Sequence, residues 1–206
     1  MKRLISSAFL ALSLMVPAAV QAQPASQTTT ESRSLLQILF PPSENYNKHR
    51  RSDKSPIKRK MVSFKENHPV GTIVIDTSDR RLYHVVKKGK AMAYGIGVGR
   101  DGFTWQGKNR VTRKAEWPGW TPPQVMRDRV KRQEGRVLPA HMKGGPDNPL
   151  GARALYIGST IYRIHGTNQP WTIGKAMSSG CIRMANDDVT HLYDQVKIGT
   201  KVVVRN

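Results

Sequence analysis

The chain has 206 residues, with 34 Lys+Arg against 14 Asp+Glu and a formal net charge of +20 at pH 7. Such a balance calls for a polyanionic partner, and inside a cell nucleic acid comes first. A single cysteine, Cys181, excludes an intramolecular disulfide framework.

Residues 1–22 have the three parts of a secretory signal peptide: Lys2 and Arg3, an apolar run from Leu4 to Val16, then Pro17 and small residues up to a cut after Ala22. The apolar run is too short to span a bilayer comfortably as a helix. Export makes nucleic acid an unlikely partner and predicts a periplasmic protein that does not span the membrane once the signal is removed. Loss of Lys2 and Arg3 leaves +18, which suits an anionic envelope polymer or surface, or simply a well-solvated protein.

Residues 23–67 read as a flexible basic linker. The stretch QPASQTTTESRS is polar, and PPSENYNKHRRSDKSPIKRK is basic and interrupted by prolines. Neither holds enough apolar surface to offset the entropy of ordering it. The apolar patch Leu35–Phe40 is the exception, a candidate docking turn.

From residue 68 the pattern becomes that of strands. GTIVIDTSDRRLYHVV holds two β-rich runs around a polar turn at Thr77–Arg80, and KKGKAMAYGIGVG adds a turn at Lys88-Gly89 and a third run. ALYIGSTIYRIHGT predicts a strand pair turning near Gly158-Ser159, and KVVVRN a last strand. Two helices are expected, over PPQVMRDRVKR after Thr121, and over NDDVTHLYDQV with Asn186 as N-cap and Asp187 and Asp188 in its first turn. Residues 68–206 are therefore expected to form one mainly β domain, sandwich- or barrel-like, with a few short helices.

Cys181 follows Ser178, Ser179 and Gly180, small residues that let backbone N–H groups converge near its sulfur. By itself a lone cysteine is a small hydrophobe, an intermolecular partner or a reactive thiol. Cysteine catalysis needs a thiolate, a base and donors for an oxyanion. His165 ends a strand sixteen residues earlier, with Gly166 allowing a sharp turn after it, and two strand ends of a β domain can meet in one cleft. Arg183, two residues past the cysteine, shares its face in an extended segment. There it is placed to lower the thiol pKa or hold a carboxylate, or else it is a solvated partner of Asp187 or Asp188. The histidines are scattered without zinc-ligand spacing, so neither a metal nor a cofactor is expected.

The stretch His165–Asn186, HGTNQPWTIGKAMSSGCIRMAN, resembles the signature of the L,D-transpeptidase catalytic domain (YkuD-like), of the exported Gram-negative type. VIDTSDRRLYHV, GGPDNPLGARALYI and DVTHLYDQVKIGTKVVV resemble the same family, so the likeness covers about two thirds of the chain. It implies Cys181 as nucleophile and His165 as base, oriented by the carbonyl of Gly166 or Thr167. It implies an oxyanion hole from the N–H groups of Ser179, Gly180 and Cys181, and Arg183 as a substrate-binding residue. Tyr156, Trp171 and Trp120 are candidates to wall the cleft, or ordinary packing residues. Many members carry a second histidine where this chain has Ser179, which leaves base work to His165; His141 is a weaker helper. The implied substrate is a peptidoglycan stem peptide, with another stem, an outer-membrane protein or water as acceptor. Two other readings are a sortase-like cysteine transpeptidase and a non-catalytic basic wall-binding protein.

Overall fold

The computed structural model describes residues 54–99, 105–178 and 180–206. The expected signal peptide, residues 23–53 of the expected linker, and Ser179 lie outside the described residues. Eleven strands are present: β1 (Lys60–Ser63), β2 (Ile73–Asp76), β3 (Arg81–Lys87), β4 (Lys90–Gly95), β5 (Val98–Gly99), β6 (Gly107–Glu116), β7 (Arg153–Ile157), β8 (Arg163–His165), β9 (Ala176–Ser178), β10 (Ile182–Arg183) and β11 (Lys201–Arg205). Two α-helices, α1 (Gln124–Glu134) and α2 (Asn186–Gln195), and a 3-10 turn at Pro170–Thr172 complete the described elements. The protein is mainly β.

Nine strands form one sheet in the order β1-β4-β3-β2-β11-β6-β7-β8-β10, and β5 pairs with β9. The meander β2-β3-β4 is antiparallel, because short polar turns join its runs. β2 lies between β3 and β11 with all four residues buried. Ile73 and Ile75 enter the main core, while Val74 joins Phe64, Val85 and Ala91 on the other face. A strand covered on both faces reads as a continuous apolar run.

The long strand β6 ties the two halves of the sheet together. Residues 107–110 pair with β11 and residues 111–116 pair with β7. α2 packs Val189 and Leu192, with Val196 just after it, against the main core, alongside Leu155, Ile164 and Ile182. Lys114 donates from Nζ to the carbonyls of Tyr193 and Val196 (2.6 and 2.7 Å), so β6 supplies a cation to the negative end of that helix.

Two expectations need correction. The flexible linker was placed through residue 67, yet β1 pairs antiparallel with β4 over Lys60–Ser63. Phe64 is buried in the Val74 cluster with Val62 packed beside it, a burial worth on the order of 2 kcal/mol for the phenyl ring. The apolar alternation of Val62 and Phe64 is masked by the basic residues before it. Arg59 is also fixed, pairing at 2.9 Å with the buried Asp188. Second, Asn186 is not the N-cap of α2. That position is Ala185, with no side-chain cap, and Asn186 is the first helical residue. Its amide is engaged elsewhere, at the site described next. α1 likewise starts without a side-chain cap and ends at Gly135, whose N–H donates to Lys131 O (3.1 Å).

Candidate active site

β8 and β10 run parallel, with Ile182 opposite Ile164 and Arg183 opposite His165. Paired residues point to the same side of a sheet and alternate residues share a face. Ile164 and Ile182 therefore face the core, where both are buried. Arg163, His165 and Arg183 share the opposite face, and Cys181, just before β10, is level with Arg163. Its Cα lies one strand over and two residues along from that of His165, a diagonal of about 8 Å by strand spacing. The expectation that two strand ends meet takes this form: a parallel pair that puts thiol, imidazole and two guanidinium groups on one face.

His165 is buried. Its Nδ1 lies 2.6 Å from the Gly166 carbonyl. A carbonyl only accepts, so Nδ1 carries the ring proton and Nε2 the lone pair. Burial, then the charges of Arg183 and Arg163, hold the imidazole pKa down to about 3, against the contribution of the Gly166 carbonyl. At neutral pH the ring is an uncharged base with Nε2 open.

The backbone under this histidine is fixed from several sides. Met184 N–H donates to His165 O (2.8 Å) and Gly166 N–H to Arg153 O (2.9 Å). Asn186 Oδ1 accepts from the N–H groups of Ala152 (2.9 Å) and Thr167 (3.2 Å), which is why it does not cap α2. The role of Gly166 differs from the sharp turn expected. It is not among the positive-φ glycines of the described residues; it is small because a Cβ there would sit 2.3 Å from Asn186 Oδ1. Gly151, at φ 62°, meets the same oxygen at 2.3 Å, so two glycines close around one amide.

Cys181 is a half-buried free cysteine, its Sγ 3.9 Å from Ile161 O. Burial pushes the thiol pKa up; Arg163, through charge, backbone amide and guanidinium, and Arg183, through charge, pull it back without cancelling the rise. Thiol and imidazole are therefore both neutral at rest, and the thiol needs a base to become a nucleophile. Gly180 precedes it at φ 105°, a conformation open to glycine.

Arg183 is 5% exposed. Its Nη1 donates to Thr172 Oγ1 (3.2 Å) and its buried Nε has no hydrogen-bond partner. Burial lowers its pKa to about 10, which leaves it charged at neutral pH. The alternative of a solvated arginine paired with Asp187 or Asp188 does not hold, because Asp188 is taken by Arg59.

Tyr156 sits opposite Arg163 on β8 and opposite Arg113 on β6. The Arg113 Cζ stacks 3.4 Å from its ring centre and the Arg163 Cζ lies 5.5 Å away. Trp171 is half-buried in the 3-10 turn before Thr172. Trp120 packs with Val130, Leu138 and Leu150 in a small cluster of its own. His141 Nδ1 lies 2.9 Å from Thr121 Oγ1, beside the Trp120–Met142 bridge. Sequence reasoning overlooked Arg163, Arg113 and the amide of Asn186. Alternation in YRIHG places Arg163 on the face of His165 and was a usable signal; Arg113 and Asn186 depend on pairings distant in sequence. Among the described residues no group of three His, Cys, Asp or Glu is placed to hold a metal ion.

Comparison with known proteins identifies the family. The family model of the L,D-transpeptidase catalytic domain, YkuD, matches residues 71–204. The chain is 43% identical over 137 residues to "Probable L,D-transpeptidase ErfK/SrfK" of Escherichia coli, covering 64% of this chain and 43% of that protein. It is 42% identical over 135 residues to "Probable L,D-transpeptidase YbiS" of the same species, covering 63% and 43%. The chain thus spans less than half the length of these relatives. A crystal structure titled as a probable carnitine operon oxidoreductase caia from Brucella melitensis shares 46% sequence identity, covering 78% of this chain and 99% of that one with a TM-score of 0.49. With the family model extending over most of the described sheet and over both His165 and Cys181, the chain belongs to the L,D-transpeptidase catalytic domain family.

Proposed function

We propose that this protein is a periplasmic peptidoglycan L,D-transpeptidase with Cys181 as nucleophile and His165 as general base. The observation that supports the reading is the shared face of β8 and β10, where a buried neutral imidazole, its Nδ1 engaged by Gly166 O, lies one strand away from the cysteine. The signal-like residues 1–22 support the compartment, and the family supports the substrate, a stem tetrapeptide ending in diaminopimelate and D-Ala.

In the first half-reaction Nε2 of His165 takes the thiol proton as Sγ attacks the carbonyl joining diaminopimelate to D-Ala. The resulting oxyanion is held by backbone N–H groups of Ser179, Gly180 and Cys181. Collapse breaks the C–N bond, and the D-Ala amine leaves with the proton from Nε2. In the second half-reaction an acceptor amine attacks the thioester while His165 receives its proton, and the thiolate leaves and is reprotonated. The thioester conserves the energy of the broken amide, so the exchange needs no ATP. Arg183, buried and without a carboxylate partner among the described residues, binds a substrate carboxylate, with Tyr156 and Trp171 at the cleft. The acceptor is a second stem, a lysine of an outer-membrane protein, or water.

The test is intact-protein mass spectrometry of the mature chain with purified tetrapeptide muropeptides, beside Cys181→Ala. An acyl adduct on the wild type only, with release of D-Ala, is the expected result, and the products identify the acceptor. A folded protein with an alkylatable thiol but neither adduct nor D-Ala release would overturn the proposal in favour of a wall-binding role.

A further inference from the structure

The strand register places three side chains in one row across the sheet, Arg113 on β6, Tyr156 on β7 and Arg163 on β8, and Cys181, directly before β10, adjoins Arg163 at the end of that row. His165 and Arg183 occupy the next row on the same face, two residues further along. Arg183 lies two residues along from the cysteine, His165 lies diagonally across on β8, and the guanidinium–phenol–guanidinium row runs outward over β8, β7 and β6.

This row is charged, and among the described residues no carboxylate compensates it. Five ion pairs occur among the described residues, and their arginines are Arg59, Arg153 and Arg205. Arg153 shows the contrast: on the same sheet half it pairs with Glu116 at 3.2 Å, whereas neither Arg113 nor Arg163 meets a carboxylate among the described residues. Arg113 is exposed and stacks its flat face 3.4 Å over Tyr156. Stacking engages the π face of a guanidinium and leaves the N–H groups on its edge available. Arg163 donates one N–H to Ile161 O (3.3 Å), and its buried Nε has no partner. Two like charges on one phenol ring repel each other, and a carboxylate bound to their N–H edges would relieve that repulsion.

We infer that Arg113, Tyr156 and Arg163 form a carboxylate-binding subsite beside Cys181 that selects peptides carrying a free carboxylate on the acyl side of the bond attacked. As a statement about stem peptides this rests on the transpeptidase reading above. With the leaving amine directed to His165, the acyl half of the substrate lies along the adjacent row, over Arg163 and Tyr156. Free and amidated forms of the diaminopimelate carboxylate are then the pair that the subsite distinguishes, since an amide carries no charge and offers one acceptor oxygen where a carboxylate offers two.

The first test does not depend on turnover. Cys181 is the only cysteine, so iodoacetate and iodoacetamide report on this site alone. Both react with the same thiolate, so the ratio of their rates, taken relative to N-acetylcysteine, cancels thiol acidity and isolates attraction for the carboxylate. The wild-type ratio is expected to exceed that of the free thiol by on the order of tenfold at low salt. Arg163→Gln should lower it several-fold, Arg113→Gln by less, and Arg163→Lys should restore part. Ratios unchanged in both glutamine variants, with circular dichroism matching wild type, would overturn the subsite. The second test compares D-Ala release from stems with free and amidated diaminopimelate. Wild type should favour the free form several-fold in kcat/KM, and Arg163→Gln should level the two. A raised alkylation ratio without D-Ala release from either stem would keep the subsite and overturn the transpeptidase reading; turnover with an unraised ratio would do the reverse.

Discussion

Asn186→Leu removes one acceptor and leaves two donors without a partner. The Asn186 Oδ1 accepts from Ala152 N–H at 2.9 Å and Thr167 N–H at 3.2 Å, and leucine of similar volume offers neither bond. A backbone N–H left unpaired in a covered position costs about 1–3 kcal/mol. The longer Thr167 bond belongs at the low end of that range, which puts the pair at about 3 kcal/mol. The space is also confined: Cβ atoms built on Gly151 and Gly166 would both fall 2.3 Å from that oxygen, so a leucine methyl has little room to settle. For a domain of this size about 1 kcal/mol moves Tm by roughly 2–4 °C, and the expected drop is about 6–12 °C. Activity should fall by more than stability alone explains, because Thr167 follows the Gly166 carbonyl that orients His165. A loss of at least about tenfold in D-Ala release is expected at a temperature where the variant is fully folded. Asn186→Asp keeps the acceptor and should lose less than half as much Tm. Thermal unfolding followed by tryptophan fluorescence, beside a D-Ala release assay, measures both. A leucine variant within about 2 °C of wild type, or an aspartate variant as unstable as the leucine one, would refute the assignment of Asn186 as the shared acceptor.

Acid should destabilise the protein through its buried histidines. His165 titrates near 3 when folded and near about 6.5 when unfolded. The unfolded state therefore binds the extra proton between those values, and the contribution is fully present above about pH 6.5 and lost as pH falls toward about 3. From pH 7 to 5 this amounts to about 2 kcal/mol, with His84 and His191, both also held down by burial, acting in the same direction. Urea unfolding at pH 7, 6 and 5 should show a shallower pH dependence in His165→Gln than in wild type; equal slopes would count against a buried neutral imidazole. Lys114→Met removes the cation from the carbonyls of Tyr193 and Val196 and from the Tyr193 ring, 3.9 Å from Nζ. It should cost about 1–2 kcal/mol and leave the alkylation rate of Cys181 unchanged, and a large change in that rate would show that α2 transmits to the site.

What could be read from the sequence follows how local each signal is. The runs of β2, β3 and β4 are bounded by polar turns, so composition alone marks them. The His165–Cys181 signature is compact, and the chain holds no other cysteine to confuse it. β6 escaped because GKNRVTRKAE contains one buried residue, Val111; it is a strand because β11 and β7 claim its two halves. β1 escaped because one apolar alternation within a basic run is too short to outweigh its surroundings. Asn186 was misassigned for a related reason. An asparagine ahead of an acidic first turn is a good cap by local rules, but two N–H groups from residues far away in sequence compete for its only carbonyl oxygen.

The charge of the chain shows the same division between composition and placement. A net +20 suggests diffuse attraction to an anionic envelope, and much of the basic surface is free to act that way. The arrangement around Cys181 is more specific. Arg59, Arg153 and Arg205 meet acidic partners, whereas Arg113, Arg163 and Arg183 gather on the face of the thiol without one among the described residues. Burial raises the thiol pKa, and Arg163 and Arg183 counter that rise only in part, so making the thiolate reactive is not all that these charges accomplish at rest. A carboxylate-bearing substrate changes the balance, because it offsets the repulsion among the guanidinium groups as it excludes water from the cleft. On the proposed mechanism the thiol stays protonated until substrate binds, and His165 then takes its proton. That coupling gives a reason for a row of arginines beside a cysteine whose base is a neutral imidazole: binding of the charged substrate, and not the resting charge of the site, would set the nucleophile in play.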